Sequence, residues 1–153
     1  MGVKQRQSVY SGALRREKLI NGELLRELPS SDEHAQKIVD KLNTIITNHE
    51  SVDAKKTSEN IAICRQVINE HLDRLKATAE EKANIASAID SILDLNPNDD
   101  DYEMQLANKK NAFEVKLLGV LVRRNPGLYS RKYREALTWT AVAQKQTVAQ
   151  LQH

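Results

Sequence analysis

No glycine or proline interrupts the chain between Pro29 and Pro97. These are the two residues that most weaken a helix interior, and their absence over so long a span constrains the fold more than any other feature. Within it, apolar residues recur at helical spacing. Ala35, Ile38, Leu42 and Ile45 form one series, widened by Val39 and Ile46, and Ile61, Cys64, Ile68, Leu72 and Leu75 form another. Residues three or four apart share one face of an α-helix, so each series makes an apolar stripe that must find a partner. With five Gly, three Pro and 4% aromatics, the composition is that of a helical protein.

The helix boundaries can be read from capping signals. Tyr10, Ala13, Leu14, Ile20, Leu24 and Leu28 outline a first helix, weakened by Gly12 and Gly22 and stopped by Pro29. Ser30, three residues before Glu33, has capping-box spacing for a second helix to about His49. Residues 50–56 form the next break. The stripe from Ile61 can be carried in phase through Ala79, Ala83, Ala86, Ile89 and Leu93. One helix over 57–95 would be about 60 Å long at about 1.5 Å per residue. Thr78 and Glu81, however, have the spacing of a second capping box, and the reading preferred is a break there. Asn96–Asp101 is a loop. Asp99 and Asp100 are candidate caps for a fifth helix that turns Tyr102, Leu106, Phe113, Leu117, Val120 and Leu121 inward. The expectation is therefore an all-α bundle of five or six helices in one domain spanning 1–153, with residues 1–9 a disordered start.

The segment Phe113–Trp139 holds both the most apolar run, Leu117–Val122, and the densest positive charge. Leu117–Val122 is apolar on every side of a helix and is expected to be surrounded by other helices. The Asn125-Pro126-Gly127 sequence is expected to end that helix, with Ser130 capping a last one to about Leu151. Arg123, Arg124, Arg131, Lys132 and Arg134 then flank Tyr129 and Tyr133, and Trp139 follows. Guanidinium groups match phosphates and carboxylates through paired hydrogen bonds, and aromatic faces stack on bases or anchor protein contacts. These seven residues, 123, 124, 129 and 131–134, are the candidate partner- or phosphate-binding site, with Tyr129 expected to be the most exposed aromatic. The plainer reading, a solvated helix end with Arg123 and Arg124 set against a negative helix C-terminus, competes with it.

The net charge of +2 is the sum of opposed regions. Residues 1–18 carry five bases and one acid, 19–114 carry eleven bases and nineteen acids, and 115–134 carry six bases and no acid. Such asymmetry bears on partners rather than on fold.

Chemistry beyond binding finds little support. There is no phosphate-cradling glycine loop, no Gly-x-Ser-x-Gly elbow and no His-Glu-x-x-His motif. The four histidines are scattered, Asn98–Asp101 lacks calcium-loop spacing, and no metal or cofactor is expected. Cys64 lies on an apolar stripe and reads as a core residue. No apolar run reaches the length of a membrane span. The start has no apolar signal segment, and Arg6 stands where a myristoylation motif needs Ser or Thr. A soluble, intracellular, cytoplasmic chain is the expectation.

Two functions remain. The first is a non-enzymatic interaction protein (an adaptor, chaperone-like factor or regulator) that binds a protein through a helical face, with self-association an open option. The alternative is a nucleic-acid binder using 123–134, with Lys4, Arg6, Arg15 and Arg16 as a second positive site. The 125–130 turn, longer than that of a helix-turn-helix, counts against the alternative.

Overall fold

The computed structural model describes the backbone of residues 32–51 and 53–151, with side chains throughout except at 54 and 139–151. The expected first helix, Tyr10–Leu28, and the basic residues Lys4, Arg6, Arg15 and Arg16 lie outside the described residues. Within them the protein is all-α, with five helices and no strand: α1 (Glu33–His49), α2 (Ala54–Arg74), α3 (Ala79–Leu93), α4 (Tyr102–Arg124) and α5 (Pro126–Leu151).

The helices pair as the apolar stripes require. α1 packs most extensively on α2 and α4 on α5, while α3 lies against α4 and joins the two hairpins. Ala35, Ile38, Val39, Leu42, Ile45 and Ile46 are all buried on α1, facing Cys64, Ile68, Leu72 and Leu75 in a single core. Leu117, Leu118, Val120 and Leu121 are all buried on α4, as a run without a polar side demands. Each fully buried leucine or isoleucine contributes about 1.5–3 kcal/mol relative to exposure.

The chain breaks between α2 and α3 rather than running on. Lys76 takes a left-handed conformation (φ 56°). Its N–H donates to Asp73 O at 2.9 Å, and the Ala77 N–H donates to Leu72 O at 3.0 Å. That is the Schellman arrangement, which satisfies the free carbonyls at a helix end. Thr78 then opens α3 with the expected capping box: its hydroxyl accepts from Glu81 N at 3.1 Å and its N–H donates to the Glu81 carboxylate at 2.8 Å. The break resets the apolar phase. Ile85, Ala88, Ile89 and Ile92 are buried, whereas Ala83, which an uninterrupted stripe would bury, is exposed.

Other boundaries differ from the sequence reading. α1 begins at Glu33 with Asp32 as its cap residue, so Glu33 is the first helical residue and not the third; Ser30 lies outside the described residues. Asp101 rather than Asp99 or Asp100 precedes α4. Between α4 and α5 only Asn125 is non-helical. Pro126 occupies the first position of α5, where its missing N–H has no helical partner to lose. The Asn125 side chain accepts from Leu128 N at 3.3 Å. Ser130 is therefore inside α5, its hydroxyl donating to Pro126 O at 2.5 Å, and caps nothing. The objection to a helix-turn-helix from a long 125–130 turn falls with it.

Candidate functional site

The bundle has two chemically distinct ends. At one end the C-terminus of α2, the start of α3 and the C-terminus of α4 converge. Arg123 lays its guanidinium on the Glu81 carboxylate, Nη2 to Oε1 at 2.7 Å and Nε to Oε2 at 3.2 Å, and also donates to Lys76 O at 3.2 Å. Arg124 donates to Leu75 O at 2.6 Å. The two arginines thus bind the carbonyls of Leu75 and Lys76, just past the end of α2, and Arg123 locks Glu81 in the first turn of α3. Burial works against the Glu81 carboxylate, but the Arg123 and Thr78 hydrogen bonds outweigh it and hold its pKa below the usual range.

This geometry divides the seven candidate residues. Arg123 and Arg124 are occupied in joining helices. Tyr129, expected to be the most exposed, is 2% exposed, because α5 starts before it and turns its ring into the core. Its hydroxyl has no hydrogen-bond partner. Tyr133 is half-buried, in range of Gly119, where an added Cβ would stand 3.7 Å from its Cε2. Lys132 is half-buried as well. Arg131 and Arg134 are exposed and form no ion pair with a described residue. They sit three residues apart, hence on neighbouring positions of one face. Leu128 (38% exposed) and Leu137 (43% exposed) extend that spacing in both directions. The side chain of Trp139 lies outside those described. Leu137, which its four-residue spacing from Tyr133 puts on the apolar side of the last helix, is exposed instead; Leu128 was not singled out, and its three-residue interval with Arg131 was the signal that could have found it.

At the other end, α1 finishes beside the α3–α4 loop. A His49 ring nitrogen lies 2.7 Å from Leu95 O, and the Tyr102 hydroxyl donates to Glu50 at 2.8 Å. Burial first, and then this carboxylate, push the Tyr102 pKa upward. An open groove of about 610 Å³ lies here, with Pro97, Leu106 and Ala107 as apolar lining and Glu50, Glu103 and Lys110 among its polar residues. Residues 94–103 contain five acids and no base, and Asp94, Asp99, Asp100, Asp101 and Glu103 are all exposed.

Two further groupings were not legible in the sequence. His34 and His71, 37 residues apart, meet with Nδ1 atoms at 2.8 Å and ring centroids at 5.1 Å. One nitrogen must donate and the other accept, so a neutral ring is needed. Burial, and then the His34, Lys37 and Arg74 charges, lower the His71 pKa against the pull of Glu70. Asp32, just before His34, has its pKa raised by burial, with His34 and Arg124 pulling the other way. On α4, Asn111 and Glu114 are buried, and Asn111 Oδ1 and both Glu114 carboxyl oxygens have no hydrogen-bond partner. Glu114 is 3% exposed, and burial pushes its pKa well up despite Lys110 nearby.

Among the described residues no group of three or more His, Cys, Asp or Glu could hold a metal ion, and no helix is long and apolar enough to cross a membrane. No protein-family model matches the chain, and no curated protein or solved structure matches it.

Proposed function

We propose that this chain is a non-enzymatic binding module, acting in the cytoplasm, that engages an acidic protein surface through the outer face of α5. The observation that carries the reading is the exposed series Leu128, Arg131, Arg134 and Leu137, a strip that winds about half-way round α5 with the two arginines in its middle and a leucine at each end. Apolar anchors supply affinity when desolvated, and guanidinium groups supply orientation and on-rate towards carboxylates. The nucleic-acid alternative has lost its aromatic partner in Tyr129 and two of its five bases to helix-joining contacts, so within 123–134 it rests chiefly on Arg131 and Arg134.

The test places a photo-crosslinking residue at Leu137 in the full chain. The expected result is a protein adduct that disappears in the Arg131→Glu/Arg134→Glu variant while helicity is unchanged. Crosslinks to nucleic acid instead, with affinity falling steeply as salt rises, would replace this reading with the alternative.

A further inference from the structure

We propose that the chain assembles head to tail, the start of α5 in one copy seating in the acidic groove at the opposite end of the next. The inference rests on the reading of α5 as a contact face, and names its partner as a second copy.

The two surfaces are complementary. The groove offers an apolar lining, Pro97, Leu106 and Ala107, beside the carboxylates of Glu50 and Glu103, and the exposed Asp99, Asp100 and Asp101 stand in the chain between its lining residues Asn98 and Tyr102. The start of α5 offers the converse: Leu128 exposed beside Arg131 and Arg134, in a stretch from 115 to 134 without an acid. A leucine set among lysines and arginines suits an apolar slot rimmed by carboxylates, since burial and charge pairing then act at once. Glu50 is held by Tyr102, which leaves Glu103 and the loop aspartates to meet the arginines. Lys110 also lines the groove, so an incoming guanidinium is favoured at the Glu103 end and not beside Lys110.

One molecule cannot satisfy itself in this way. α4 runs from the groove at Tyr102 to the α5 junction at Arg124, and 23 helical residues span about 35 Å at about 1.5 Å each. The two surfaces lie at opposite ends of that helix, so their contact is intermolecular. An interface between different patches of identical chains is heterologous, and without closure it propagates as a line rather than stopping at a pair.

The experiment is sedimentation velocity on the full chain across a concentration series at low and high salt. Mass should rise with concentration at low salt. The association should weaken by about tenfold or more as the Debye length shortens from about 30 Å to below about 8 Å. Arg131→Glu/Arg134→Glu and Asp100→Arg/Glu103→Arg should each be monomeric with unchanged helicity, since all four positions are exposed. An equimolar mixture of the two should recover assembly, because each supplies the end that the other lacks. Assembly by either variant alone, or a mixture that stays monomeric, would overturn the inference. So would a wild-type chain that is monomeric throughout; if its Leu137 crosslinker still captures another protein in an arginine-dependent manner, the binding-module reading survives, and if it captures none, both fall.

Discussion

Glu81 and Glu114 are glutamates on helices that pack together, and they live in opposite circumstances. Glu81 begins α3 with every demand met: Thr78 N–H on one oxygen, the Arg123 guanidinium across both. Glu114 is enclosed on α4 with neither oxygen hydrogen-bonded. One carboxylate joins α3 to α4; burial of the other favours its protonated form. The difference teaches that a charge at a helix end is put to structural use by the free backbone groups around it. The same side chain in mid-helix has no such groups and relies on what packs against it.

The largest expected effect comes from relieving the unsatisfied member. Glu114→Leu should stabilise the fold near neutral pH by about 1–3 kcal/mol, the range for removing a buried group without a partner, measured by urea unfolding. A null or destabilising result would mean that the carboxyl is satisfied in solution. The pH dependence sharpens this. The folded-state pKa lies above the ordinary 4.5, so the native state holds its proton while the unfolded chain releases one. The stability linked to that proton is fully present below about pH 4.5 and is lost as pH rises through the folded value. Glu114→Gln should flatten that decline.

Breaking the satisfied member should act in the opposite direction. Glu81→Ala should destabilise by about 1–2 kcal/mol, mostly through the capping box. The Arg123 pair is half exposed on the arginine side. A double-mutant cycle with Arg123→Ala should accordingly return about 1 kcal/mol of coupling or less. A larger value would make the junction, and not the cap, the main link between α3 and α4.

A smaller gain is expected two residues before the box. Lys76 holds a positive φ that glycine adopts without steric cost, so Lys76→Gly should raise stability by about 1 kcal/mol in thermal or urea unfolding. The carbonyl used by Arg123 is retained.

The smallest effect belongs to the His34–His71 pair. The His71 pKa is lowered from 6.5, so the unfolded chain takes up the proton first. The contribution is intact above about pH 6.5 and declines as pH falls through the lower folded value. Asp32, Lys37, Glu70 and Arg74 bear on the pair as well. His71→Gln should remove this slope between pH 7.5 and 5.5 in denaturant titrations.

The all-α class and the inward faces of α1 and α4 were determined by the sequence itself, and the break at Thr78 was one of the two readings it offered. Each rests on local chemistry: residues spaced three and four apart, and a hydroxyl three positions from a carboxylate. The α5 start was equally local but misread. Asn125-Pro126 has the form of a cap and first helical residue, and taking it as a stop displaced Ser130 and put Tyr129 on the outside. The tertiary structure alone decided which charges remain available. The sequence places Arg123 at a helix end and Arg131 beyond the break, but not that one meets the turn after α2 while the other meets solvent. The groove at Glu103, the histidine pair and the isolation of Glu114 have the same origin, because each depends on residues brought together from distant helices. Spacing along a chain reports which face a side chain occupies, and only packing reports what that face meets.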